Sequence, residues 1–146
     1  MRFSIFSIIA IMLLVSSAVC AEVIAPLAFN INAIGGGALN QYTPGVENGV
    51  GLNNIGLLIK TWGKVSYVAP DNTYFYINDG SNRNDGSGHI GLRVACDNLA
   101  DGASITPPIV NTYVAITGIS STIVIETKIQ PNFRPRGQSD IQPIAQ

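Results

Sequence analysis

The sequence predicts an all-β domain, and three observations carry that prediction. From Ile55 onward apolar and polar residues alternate at period two. Clusters of Gly, Pro, Asn and Asp separate the alternating runs. Behind the N-terminal leader no run supports a helix longer than a turn or two.

The 146-residue chain is of one-domain size. Its start, "MRFSIFSIIAIMLLVSSAVCAEV", places Arg2 before an apolar run from Phe3 to Val15 broken only by serines. That is the pattern of a signal peptide over residues 1–21, and it stops short of the roughly 20 apolar residues a membrane span needs. Small residues at Val19 and Ala21 predict cleavage before Glu22, and hence export to the cell surface or beyond. Lipid anchoring at Cys20 is disfavoured because Val19, rather than Gly, Ala or Ser, precedes it. Cleavage removes Cys20 and leaves Cys96 alone, so an exported chain without a disulfide relies on a packed core. Cys96 closes the alternating run Ile90, Leu92, Val94 and reads as a small buried hydrophobe. Loss of Arg2 leaves seven Lys plus Arg against nine Asp plus Glu, with no basic tail, which disfavours a general polyanion binder.

Residues 22–54 form a loop-rich N-terminal arm whose one short apolar piece, Ile24 to Ile34, has the makings of an edge strand. Gly35 to Gly37 lack the Lys-Ser or Lys-Thr of a phosphate loop and read as flexible chain. Residues 55–146 hold five predicted strands and a polar coda. "IGLLIKTWGKVSYV" is a long first strand, with Ile59 and Val65 on one side and Lys60, Trp62 and Lys64 on the other. Gly63 in its middle predicts a bulge or bend that lets one strand serve two sheet partners. Pro70-Asp71-Asn72 is a turn. "TYFYIN" is the second strand, Phe75 and Ile77 inward, Tyr74 and Tyr76 outward. A tight glycine-rich hairpin leads to "HIGLRVAC", the third, with Arg93 opposite Leu92 and Val94. "TYVAITGIS" and "TIVIETKIQPNF" are the fourth and fifth.

The pieces "KTWGKVSYV", "YFYINDGS", "GLRVAC" and "VAITGIS" resemble bacterial OB-fold modules, with a W-G-x-V first strand, a Y-x-I-x-D-G second and a T-G fourth. From Leu52 to Gln142 the chain is similar to a recurring module of secreted or surface bacterial proteins that has no assigned activity. The resemblance implies a five-stranded OB-fold-like Greek-key barrel. Two features depart from it: no segment fits the helix that commonly plugs such barrels between the third and fourth strands, and the leader separates this chain from intracellular OB-fold roles.

Chemistry-bearing residues are sparse. Gly86-x-Gly88-x-x-Gly91 spells the dinucleotide fingerprint but precedes a strand, not a helix, and is read as a chance match. Asp79, Ser81, Asn82, Asn84 and Asp85 lack the spacing and closing glutamate of an EF-hand. His89 is the only histidine; Ser87 lies two residues before it, with no nucleophile-elbow pattern and no third member in sight. Nothing in a hairpin turn is expected to bury Asp79 or Asp85 as an acid and base pair. The sequence therefore predicts a non-enzymatic module with no metal and no cofactor.

The remaining candidate is a binding face: Lys60, Trp62 and Lys64 on the first strand, Tyr74 and Tyr76 on the second, Arg93 on the third. Aromatic planes among cations suit a glycan or protein partner outside the cell. Single-stranded nucleic acid is the alternative, since bases stack on the same planes. A purely structural reading stands beside both, because cross-strand aromatic pairs also stabilise sheets and the arm is long enough to cover them.

Overall fold

The computed structural model describes residues 24–99 and 102–145; the predicted leader and its cleavage site lie outside the described residues. The described residues form one seven-stranded sheet that curls into a partly closed, barrel-like ring. The strands are β1 (Leu27–Ala28), β2 (Leu58–Val68), β3 (Tyr74–Asn78), β4 (Leu92–Ala95), β5 (Tyr113–Ile125), β6 (Lys128–Arg134) and β7 (Ile141–Pro143). Their order is β1-β2-β3-β4-β6-β5-β7, and a further β2–β5 pairing closes a ring of five. Within the ring only β4 and β6 run parallel, paired at Arg93↔Asn132 and Val94↔Phe133. The two short strands lie outside it: β1 of the arm runs parallel to β2, and β7 of the coda runs antiparallel to β5.

Strand β2 turns the ring's corner. Its first half, Leu58 to Lys64, pairs with β5, and its second, Lys64 to Val68, pairs with β3. Gly63 sits at the hand-over. A Cβ there would lie 2.9 Å from the Asn78 backbone, so glycine is what lets β3 approach. The register irregularity itself falls a little later, between Val65 and Tyr67, where the bulge at Ser66 turns Tyr67 to the side opposite Val65.

Inside the ring Ile59, Val65, Phe75, Ile77, Leu92, Val94, Val114, Ile116 and Phe133 are fully buried, as the alternation requires. Cys96 joins this core, and burial pushes its thiol up to about 12. Two departures from sequence expectation concern the other segments. The fourth and fifth strands divide at Glu126–Thr127 and not near Ser120: β5 runs unbroken through the β-branched stretch to Ile125, where a two-residue turn with Glu126 at φ 56° begins β6. The arm, too, is packed and not merely flexible. Ile31 and Ile34 enter the core, each worth about 1.5–3 kcal/mol by burial. Buried Asn54 fastens the arm, accepting from Gly35 N at 2.8 Å and Ser120 Oγ at 2.9 Å while donating to Ala33 O at 2.6 Å. At Gly36, φ 66°, any Cβ would overlap the Leu52 carbonyl, so the glycine run is a close-packing device.

Candidate ligand face

The ladder fixes which outward residues are neighbours. Across β5 and β2, Tyr113 stands opposite Lys64 and Ala115 opposite Trp62. Across β2, β3 and β4, Tyr67 stands opposite Tyr76 and Tyr76 opposite Arg93. Lys60, Trp62, Lys64, Tyr74, Tyr76 and Arg93 therefore do share the outer face of three adjacent strands. The bulge adds Tyr67 to them, and the β2–β5 pairing adds Tyr113. Strict alternation hides the first, and the second becomes visible only with the ring.

The two ends of this face differ. At the Trp62 end the indole is 46% exposed and Tyr113 40% exposed, with Lys60 exposed and Lys64 half-buried beside them. At the other end the expected exposure of Tyr76 is not found: the residue is 1% exposed. Its outward direction is as the alternation predicts, but the connection from Asp79 to Gly91 folds back over it. The Tyr76 hydroxyl donates to Asp85 Oδ2 at 2.6 Å and lies 2.9 Å from Ser87 Oγ. Burial, and then the adjacent Asp85 carboxylate, raise its pKa well above the ordinary tyrosine value. His89 stacks on Tyr67 with ring centroids 3.5 Å apart, and Ser66, the bulge residue, donates to Ile90 O at 2.7 Å. Tyr74 is half-buried, with the Arg93 guanidinium 4.2 Å above its ring; Arg93 also donates to Asn132 Oδ1 at 2.9 Å.

That covering connection is longer and better anchored than a tight hairpin. Its polar side chains fold it locally: Asp79 Oδ1 accepts from Ser81 N, Asn84 Oδ1 from Gly86 N, and Asp85 Oδ1 from Ser87 N, each near 3 Å. Asp79 Oδ2 also accepts from Ile31 N of the arm at 2.8 Å. Burial alone would raise the Asp79 pKa; bonds from Ser81 and Ile31 outweigh it and lower it. Arg83, 9% exposed, donates to the Glu47 carbonyl of the arm at 2.8 Å. Ser87 Oγ donates to Asp85 Oδ1 at 2.6 Å and accepts from the His89 backbone N–H at 3.3 Å, while the His89 ring packs on Tyr67. Among the described residues no three His, Cys, Asp or Glu side chains gather as metal ligands, and no helix is long and apolar enough to cross a membrane.

No family model matches the chain, and comparison with the curated proteins and with solved structures returns no match.

Proposed function

We propose that this is an exported, non-enzymatic binding module of OB-fold type that holds a glycan on the outer face of β2, β3 and β5. A protein surface of similar chemistry is the neighbouring possibility. The OB-fold reading is supported by the five-strand ring, its single parallel contact between β4 and β6, and a long strand β2 shared by two partners. Export rests on Arg2, the apolar run and Val19-Cys20-Ala21.

The observation that carries the binding reading is the pair of half-exposed aromatic planes, Trp62 and Tyr113, flanked by Lys60 and Lys64 on adjacent strands. Flat apolar rings stack on the C–H faces of sugars, and the two ammonium groups donate to ring hydroxyls. Arg93 capping Tyr74 extends the same surface toward β4. Tyr76 supports the face from beneath the Asp79–Gly91 connection and does not touch the ligand. A glycan is favoured over single-stranded nucleic acid because the chain is slightly acidic.

Capture on an array carrying both glycans and single-stranded oligonucleotides, repeated across a salt series, tests this reading. Glycan capture that changes little with salt is the expected result. Retention of oligonucleotides alone, falling steeply as salt rises, would overturn it in favour of phosphate recognition.

A further inference from the structure

The β5–β6 hairpin carries an open sheet edge on its outer strand. Along β5, Ser120 is satisfied on the side facing away from β6: its N–H donates to Leu57 O at 3.0 Å and its carbonyl accepts from Gly56 N at 2.8 Å. Strand geometry then directs the N–H and C=O groups of Thr122 and Val124 to that same side. Pro131 agrees with this direction. It stands opposite Thr122, where a missing N–H removes no bond between β5 and β6. Among the described residues no backbone group pairs with Thr122 or Val124 on this side. Two donors and two acceptors are thus presented along the free stretch Ser121 to Ile125.

Monomeric proteins guard such edges with Lys, Pro or a bulge. This one has none. Ile119 to Ile125 carries no charge, and five of its seven residues are β-branched. Val124 is 66% exposed although it lies on the continuation of the inward side of β5, because the hairpin projects past the core.

We infer that this edge is an interface with a second copy of the chain, formed by antiparallel pairing of β5 with β5 about Ile123. The free stretch decides the occupant. It is closed at one end by Gly56–Leu57 on Ser120 and at the other by the Glu126–Thr127 turn, so Ile123 is its midpoint. Self-pairing about that midpoint uses the whole edge: Thr122 exchanges both its bonds with Val124 of the second copy, and Ile123 faces Ile123. No like charges meet, and β-branched side chains oppose one another across the two-fold axis. A longer foreign strand would run into Gly56–Leu57. The edge is short, so the association is weak.

Sedimentation of the purified protein from micromolar to millimolar concentration tests the inference. The expected result is a mass that doubles as concentration rises, and a Val124→Pro variant, which deletes one edge donor, that stays monomeric with an unchanged circular dichroism spectrum. Should that variant fold poorly, Val124→Lys is expected to give the same monomer. Ile123→Cys provides the positional readout. Residues facing each other at a non-hydrogen-bonded position have Cα atoms about 4.5 Å apart, within disulfide range. With the chain starting at Glu22, so that Cys20 is absent, mild oxidation should therefore link two Ile123→Cys chains while the parent, whose Cys96 is buried, stays unlinked. A parent that remains monomeric at millimolar concentration, a dimer that survives both Val124 substitutions, or an Ile123→Cys chain that fails to cross-link would each overturn it.

Discussion

The two ends of the outer face are built from the same residue types and end in opposite states. Trp62, Tyr113, Lys60 and Lys64 stand beside one another with no segment over them among the described residues; Tyr67, Tyr74, Tyr76 and Arg93 are packed on each other and on the loop that returns from Asp79 to Gly91. The difference lies in the connections. Lys64 leads into the bulge at Ser66, whose hydroxyl holds Ile90, and Tyr76 supplies the hydroxyl that buried Asp85 needs. An aromatic stripe along a strand is therefore a surface only where no polar loop has been given a reason to fold onto it.

The largest effect expected from this contrast lies beneath it. Phe75 points inward between Tyr74 and Tyr76 and is fully buried, so Phe75→Ala should cost about 3–5 kcal/mol in urea unfolding. A loss below about 1 kcal/mol would mean that the β3 register is wrong.

Next comes the covered end. Tyr76→Phe keeps the ring but takes a donor from Asp85, which is 4% exposed, and should cost about 1–3 kcal/mol while speeding amide exchange in Asp79–Gly91. Unchanged stability and exchange would show that the loop is held by other contacts.

A smaller and local effect follows from Asp79. Its folded pKa is depressed, so its hold on the arm is complete above the ordinary carboxylate value of about 4 and is lost as pH falls through the lower folded value. Acidification should accordingly free the Ile31 amide, and Asp79→Asn should weaken that protection already at neutral pH. Ile31 protection that is the same in both proteins at every pH would remove Asp79 as the anchor.

Much of the fold was legible because period two reports which side of a sheet a residue occupies. Ile59, Val65, Phe75, Ile77, Leu92 and Val94 went inward as read, and Gly63 marked where β2 changes partners. The same signal is silent about what lies over a side. It placed Tyr76 outward correctly but could not register Asp85, whose bond to it closes only when the loop folds back. The Ser66 bulge hid Tyr67 in the same way, since one extra residue inverts every later side chain. Neither the Glu126 turn nor the arm's attachment had a local signature. The first rests on Glu126 at positive φ, the second on Asn54, Asp79 and Arg83 bonding to residues far along the chain, so neither shows in a local pattern.

The difference between the two ends is tested most directly at Trp62. The account predicts that Trp62→Ala abolishes capture of whichever immobilised glycan the parent protein retains and lowers unfolding free energy by no more than about 1 kcal/mol, since a half-exposed side chain leaves no closed cavity. Full glycan capture by Trp62→Ala, or unfolding as severe as that expected of Phe75→Ala, would contradict it: the first would remove the indole from the ligand, the second would make it part of the core.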